Sequence, residues 1–102
     1  MVSISIPNKI FDKIIALNFT KRQLKILLLI IKSSYGLNKP CALLNKKDFF
    51  YAGILPYHVE DELKKLVIRG VVKWNPDKKM FWINPYVKEW VDKKHKVDLF
   101  KG

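Results

Sequence analysis

The chain predicts a mainly helical α+β domain that closes with a β-hairpin and a short last helix. Three observations carry this expectation. Residues 21–35 hold apolar side chains at helical spacing in a segment too apolar to lie on a surface. Two further helix starts, at Asn45 and Pro56, are separated by the breaker Gly53. Two short runs rich in β-branched and aromatic residues, 71–74 and 80–83, flank the turn-forming stretch Asn75-Pro76-Asp77-Lys78-Lys79.

Taken in order, Ile4 and Ile6 alternate with Ser3 and Ser5 as a short extended lead-in. Pro7 stands where a first helix begins, since its missing N–H costs nothing in a first turn. Ile10, Phe11, Ile14, Ile15 and Leu17 then follow at helical spacing, and Asn18 and Phe19 end the segment. Thr20 with Gln23 three residues on forms the capping-box pattern. The helix it opens spans residues 21–35, with Leu24, Leu27, Leu28 and Ile31 on the expected inward face, Ile26, Leu29 and Ile30 filling much of the rest, and Gly36 as its stop.

After a loop ended by Pro40, residues 42–44 read as a brief strand, and Asn45 caps a short helix to residue 51 or 52. Pro56 opens the next helix, which runs to about Arg69, with Val59, Leu63, Leu66 and Val67 inward and Gly70 as the stop. The hairpin follows, and Asn84-Pro85 leads into a last helix over residues 86–94 with Val87, Trp90 and Val91 on one side. Residues 1–95 are expected to form one domain and 96–102 a charged tail. The order is that of a winged helix-turn-helix: a buried helix, a short helix, a tight Ala52-Gly53-Ile54 turn, a second helix, then a hairpin.

Charge supplies the functional clue. Lys plus Arg number 20 against 9 acidic residues, a net of +11 on a single domain of 102 residues. This is the electrostatic footprint of a polyanion binder. The excess is uneven: residues 1–50 carry a net +7 and residues 51–102 a net +4. The one cysteine, Cys41, forms no internal disulfide, which favours a reducing, cytoplasmic setting. No signal peptide is visible, and the longest apolar run, residues 26–31, falls far short of the roughly 20 residues that span a bilayer. No phosphate-binding glycine loop, paired histidines or cysteine cluster is present, so no enzyme, metal site or cofactor is expected.

Double-stranded DNA is the expected partner. In a helix-turn-helix the helix after the turn enters the major groove, about 12 Å wide. At about 100° per residue the outward arc of that helix holds Tyr57, His58, Asp61, Lys64, Lys65 and Ile68. Tyr57 and His58 are placed for bases or phosphates, Lys64 and Lys65 for phosphates, and Asp61 or Glu60 for a cytosine amino group. Lys46 and Lys47 at the start of the preceding helix are placed for backbone beside the groove, and Lys78 and Lys79 at the hairpin tip for a neighbouring minor groove or its phosphates. Each has a plainer role open to it: solvated helix starts, a rim tyrosine, a surface histidine, a soluble hairpin tip. Trp74, Phe81 and Trp82 read as core at least in part. The consecutive acids Glu60, Asp61 and Glu62 suit a helix N-terminus but repel phosphate.

The chain also resembles a known group. Ile6-Pro7-Asn8, residues 17–20, residues 23–31 and Ser34-Tyr35-Gly36-Leu37-Asn38-Lys39 resemble the N-terminal domain of the phage replication protein O family. So do Phe49, Gly53-Ile54, His58-Val59, Leu66, Gly70-Val71-Val72, and Asn84 with Trp90, so that the likeness covers roughly residues 4–91. It implies a replisome organiser whose winged helix binds repeats in a phage or plasmid origin, often as a homodimer, in the host cytoplasm. It also implies a C-terminal region that recruits the replicative helicase or its loader, a partner expected only through a region absent from these residues. The acids at 60–62 depart from the more basic or hydroxyl-rich helix of that pattern. Two other readings stand beside this one: a small transcriptional regulator of the same fold, and a protein-interaction module that has lost DNA binding.

Overall fold

A computed structural model describes residues 7–92, so the extended lead-in, the charged tail and the end of the last expected helix lie outside the described residues. The element order is α1 (Asn8–Ala16), α2 (Lys21–Ser33), β1 (Ala42–Leu43), α3 (Lys46–Tyr51), α4 (Pro56–Ile68), β2 (Val72–Asn75) and β3 (Met80–Ile83), with 3-10 turns at Tyr35–Leu37 and Val87–Glu89. The strands form one antiparallel sheet in the order β1-β3-β2. The fold is α+β and mainly α, as the sequence predicts, with the element order of a winged helix-turn-helix.

Local chemistry explains the starts. The Thr20 hydroxyl accepts from Gln23 N at 3.1 Å while Gln23 Oε1 accepts from Thr20 N at 3.0 Å, closing the capping box of α2. Asn45 and Asp48 do the same for α3, with Asn45 Oδ1 also accepting from Lys47 N at 2.9 Å. Pro56 occupies the first turn of α4, where no N–H is needed.

The core lies between α2, α4 and the sheet. Ile26, Leu27, Ile30 and Ile31 of α2 meet Val59, Leu63 and Leu66 of α4, with Phe49, Val72, Phe81 and Ile83 beneath. Phe49 sets its edge against Phe81 at 5.6 Å, tying α3 to the sheet, and Trp74 stacks on Phe81 at 5.8 Å. Trp74 and Trp82 are half-buried and Phe81 is buried, so these rings belong to the hairpin's own packing.

Four expectations need correction. On α2 the buried face is Gln23, Ile26, Leu27, Ile30 and Ile31, whereas Leu24 and Leu28 are 36% and 57% exposed. The polar Gln23 takes the inward place because its amide links α2 to α4. The same helix ends at Ser33 rather than Tyr35, and Gly36 does not stop it. The Ser34 hydroxyl donates to Ile30 O at 2.6 Å, the chain passes into the 3-10 turn, and the left-handed residue is Asn38, at φ 56°. On α4, Val67 is exposed and Glu62 is buried, because Glu62 Oε1 accepts from Gln23 Nε2 at 3.2 Å.

Finally, the expected last helix is one 3-10 turn, after which Trp90 is extended. Tertiary bonds override its helical pattern: Trp90 Nε1 donates to Asn84 O at 2.9 Å, and Val91 N donates to Arg69 O at 2.8 Å. Asn84 Nδ2 in turn donates to Gly70 O and to Glu89 Oε1, each at 2.8 Å. The segment is thus a strap across the C-terminal end of α4.

Candidate nucleic-acid interface

The corner between α3 and α4 is built by a backbone turn on an apolar anchor. Gly53 N donates to Phe50 O at 2.9 Å and Ile54 N to Phe49 O at 3.1 Å. Gly53 sits at φ +85°, which side chains with a Cβ rarely adopt. Ile54 is buried beneath the turn, so the corner is clamped rather than free.

The orientation of α4 is held from behind by a buried polar network. Gln23 donates to Glu62 and accepts, at Oε1, from Arg69 Nη1 at 3.3 Å. Arg69 Nε donates to Val91 O at 2.8 Å, and its guanidinium lies over the Phe19 ring at 4.2 Å. Nη2 makes no hydrogen bond and faces Asp92 at 3.7 Å. Burial lowers the Arg69 pKa and Asp92 opposes that shift, but an arginine starts so high that it stays charged. Gln23, Glu62 and Arg69 are therefore positioning residues. Only the capping role of Gln23 had a signal in the sequence; their convergence comes from the crossing of α2 and α4.

The outer face of α4 carries the expected residues. Tyr57 is 72% exposed, and Asp61, Lys64, Lys65 and Ile68 are exposed with it. His58 is half-buried, its ring 4.3 Å from that of Tyr57, so the two form one aromatic unit at the start of the helix. The lysines are not free. Lys64 Nζ pairs with Glu60 at 2.9 Å and Lys65 Nζ with Asp61 at 3.3 Å, both at i,i+4 spacing. The hydrogen bond and charge of Lys64, helped by the charge of Lys46, hold the Glu60 carboxyl below its ordinary pKa. Glu60 is thus exposed and paired outward, and the face of α4 is close to neutral.

The remaining basic residues gather elsewhere. A cleft of about 520 Å³ opens between the start of α3, α4 and the hairpin, and Lys46, Lys47 and Lys79 line it with Glu60, Trp74 and Pro76. Lys79 is held at φ 55°, and its carbonyl accepts from Leu44 N at 3.1 Å, which fixes the hairpin tip against β1. Lys78 is exposed on the same tip, outside the cleft, its N–H donating to Asn75 Oδ1 at 3.3 Å. The structure therefore brings Lys46, Lys47 and Lys79 together. It keeps Tyr57, His58, Asp61, Lys64 and Lys65 as a separate face. Among the described residues no group of three His, Cys, Asp or Glu side chains is arranged to hold a metal ion, and no helix is long and apolar enough to cross a membrane.

A clamped helix-turn-helix corner, followed by a basic hairpin packed on the first helix of the motif, gives the domain a mainly helical α+β fold consistent with a winged helix-turn-helix. A model of the bacteriophage replication protein O family matches residues 3–90, and the chain belongs to that family, with a replication-related role. No curated protein and no solved structure matches the chain.

Proposed function

We propose that the domain is a non-enzymatic binder of double-stranded DNA that recognises repeats in a phage or plasmid replication origin and so initiates replication. The observation that carries this reading is the convergence of Lys46, Lys47 and Lys79 in one cleft beside the exposed Tyr57 end of α4. In this reading α4 lies in the major groove, Tyr57 and His58 meet base edges or the adjoining backbone, and Asp61 faces the groove floor. Lys46, Lys47, Lys78 and Lys79 neutralise phosphates. Family membership supports the replication setting.

Selection of duplex sites from a random pool, followed by a salt series on the enriched site, tests the reading. An enriched direct or inverted repeat is expected, with binding as a homodimer. With about four to six phosphate contacts, log affinity should fall with log salt at a slope of roughly −4 to −5. A flat salt dependence, or no duplex binding at low salt, refutes it.

One observation favours a second reading, a protein-interaction module. The exposed face of α4 is charge-neutralised and carries the bare apolar side chains of Ile68 and Val67. Charge reversal at Lys46, Lys47, Lys78 and Lys79 separates the two: it abolishes DNA binding and spares a contact made through apolar side chains.

A further inference from the structure

A second basic cluster lies on the other side of the corner. Lys21, Arg22 and Lys25, from the first turns of α2, surround a polar cleft of about 300 Å³ whose far wall is Gly53 and Ile54. All three side chains are exposed, and among the described residues none reaches a carboxylate at ion-pair distance. Asp48 lines an adjoining groove with Lys25, outside the cleft, and accepts from the N–H of Asn45 at 2.8 Å.

The capping box takes up the N–H groups of Thr20 and Gln23, so the cluster rests on three cationic side chains and not on the helix end alone. Lys25 is drawn over the corner itself: a Cβ on Gly53 would lie 3.1 Å from its ammonium nitrogen. Gly53 thus makes the left-handed turn and also leaves the space in which that ammonium rests.

The placement gives the cluster a partner. A major groove is bordered by two phosphate backbones, and a helix entering it is flanked by both. Two separate basic clefts reach the chain where α4 begins. Pro56 lines the cleft of Lys46, Lys47 and Lys79; Ile54, two residues earlier, lines the cleft of Lys21, Arg22 and Lys25; the two clefts share no residue. Because α4's own lysines are offset by Glu60 and Asp61, these unpaired cations supply the net positive charge beside the start of α4.

We propose that Lys21, Arg22 and Lys25 form a second phosphate-binding site, which clamps the backbone strand on the α2 side of the groove while Lys46, Lys47 and Lys79 hold the strand on the hairpin side. The proposal rests on the reading of the domain as a duplex binder. Its test is a salt series on a mixed-sequence duplex with three proteins: wild type, Lys21→Ala/Arg22→Ala/Lys25→Ala, and Lys9→Ala/Lys88→Ala, which removes charge from α1 and the strap without touching the corner.

Each lost phosphate contact flattens the slope by about 0.9, so the triple variant should lose about 2.7. Between 50 and 200 mM salt its affinity should then fall about 40-fold less than that of wild type. The double variant should keep the wild-type slope. Thermal unfolding shows whether the triple variant remains folded, and if it does not, the single variant Lys25→Gln, with an expected loss of about 0.9, takes its place. A folded variant with the wild-type slope overturns the second site and leaves duplex binding intact. An equal flattening in the control reduces the effect to net charge and also overturns it. A wild type with no steep slope overturns the functional reading and the clamp with it.

Discussion

Replacing the two outward acids of α4, Glu60→Gln with Asp61→Asn, should strengthen duplex binding. Glu60 holds Lys64 at 2.9 Å and Asp61 holds Lys65 at 3.3 Å, so in the wild type each ammonium that meets a phosphate brings a carboxylate with it and adds no net positive charge. The amides keep the shape of the carboxylates and release both cations. If both reach phosphates, the salt slope steepens by up to about 1.8, equivalent to a roughly tenfold larger loss of affinity between 50 and 200 mM salt. The fold should survive, because exposed i,i+4 pairs of this kind hold little stability. The assay is the same salt series, with the single variants alongside. Asp61→Asn carries an extra signature: if Asp61 accepts from a cytosine amino group, its loss relaxes the preference at one base pair, seen as a changed consensus on reselection. Unchanged affinity and slope in the double variant would mean that the outer face of α4 does not meet DNA, and the orientation proposed for α4 would fall.

Three other outcomes follow from the packing. Gly70→Ala should be destabilising by about 2–5 kcal/mol, from a left-handed conformation costing roughly 1–2 kcal/mol and steric overlap of roughly 1–3 kcal/mol. Gly70 sits at φ +76°, and a Cβ there would lie 2.6 Å from Glu89 O on the strap; a denaturant midpoint within error of wild type refutes this. Arg69→Lys should cost about 2 kcal/mol or more, because an ammonium cannot serve both Val91 O and Gln23 Oε1, and buried bonds to a charged group are worth about 1.5–3 kcal/mol; thermal unfolding checks it. Glu60→Gln should lower thermal stability slightly at neutral pH and not at all in acid. The Glu60 pKa is depressed in the folded state, so its contribution is present above the unfolded pKa and fades as pH falls through the folded value; a difference that persists below the usual carboxylate range contradicts the pairing.

The elements were legible wherever a local signal sufficed. Thr20, Asn45 and Pro56 start helices through their own side chains or ring, and Gly53 turns the chain through its own backbone. The hairpin came from composition and a turn stretch, and its register needed only neighbouring residues. What failed was local pattern against a distant partner. Leu24 and Leu28 keep helical spacing with Leu27 and Ile31, yet Gln23 wins the inward place through bonds to Glu62 and Arg69, 39 and 46 residues away. Val87, Trp90 and Val91 likewise read as a helix face, until Asn84 and the carbonyl of Arg69 draw the chain into a strap. The outward arc of α4 was legible from angle alone, but its neutrality was not, since that depends on which carboxylate each lysine reaches.

If the domain binds duplex DNA as proposed, that neutrality bears on how it divides affinity from specificity. A recognition helix with unpaired lysines would grip any duplex through its groove face, because phosphate attraction is indifferent to sequence. Here the α4 lysines are held by Glu60 and Asp61, while the unpaired cations stand beside the helix, at the start of α3, on the hairpin and at the start of α2. Glu60 also lines the cleft of Lys46, Lys47 and Lys79. A helix that docks in the wrong register brings neutral pairs towards phosphate and gains no net attraction there. The acids that weaken the groove face as a source of binding energy therefore withhold that energy from misplaced docking, which is how a less attractive competitor serves specificity. The double amide variant separates the two effects: its affinity for a mixed-sequence duplex should rise more than its affinity for the selected site, so that the ratio between them falls. A ratio that stays constant would assign the acids to helix stability alone.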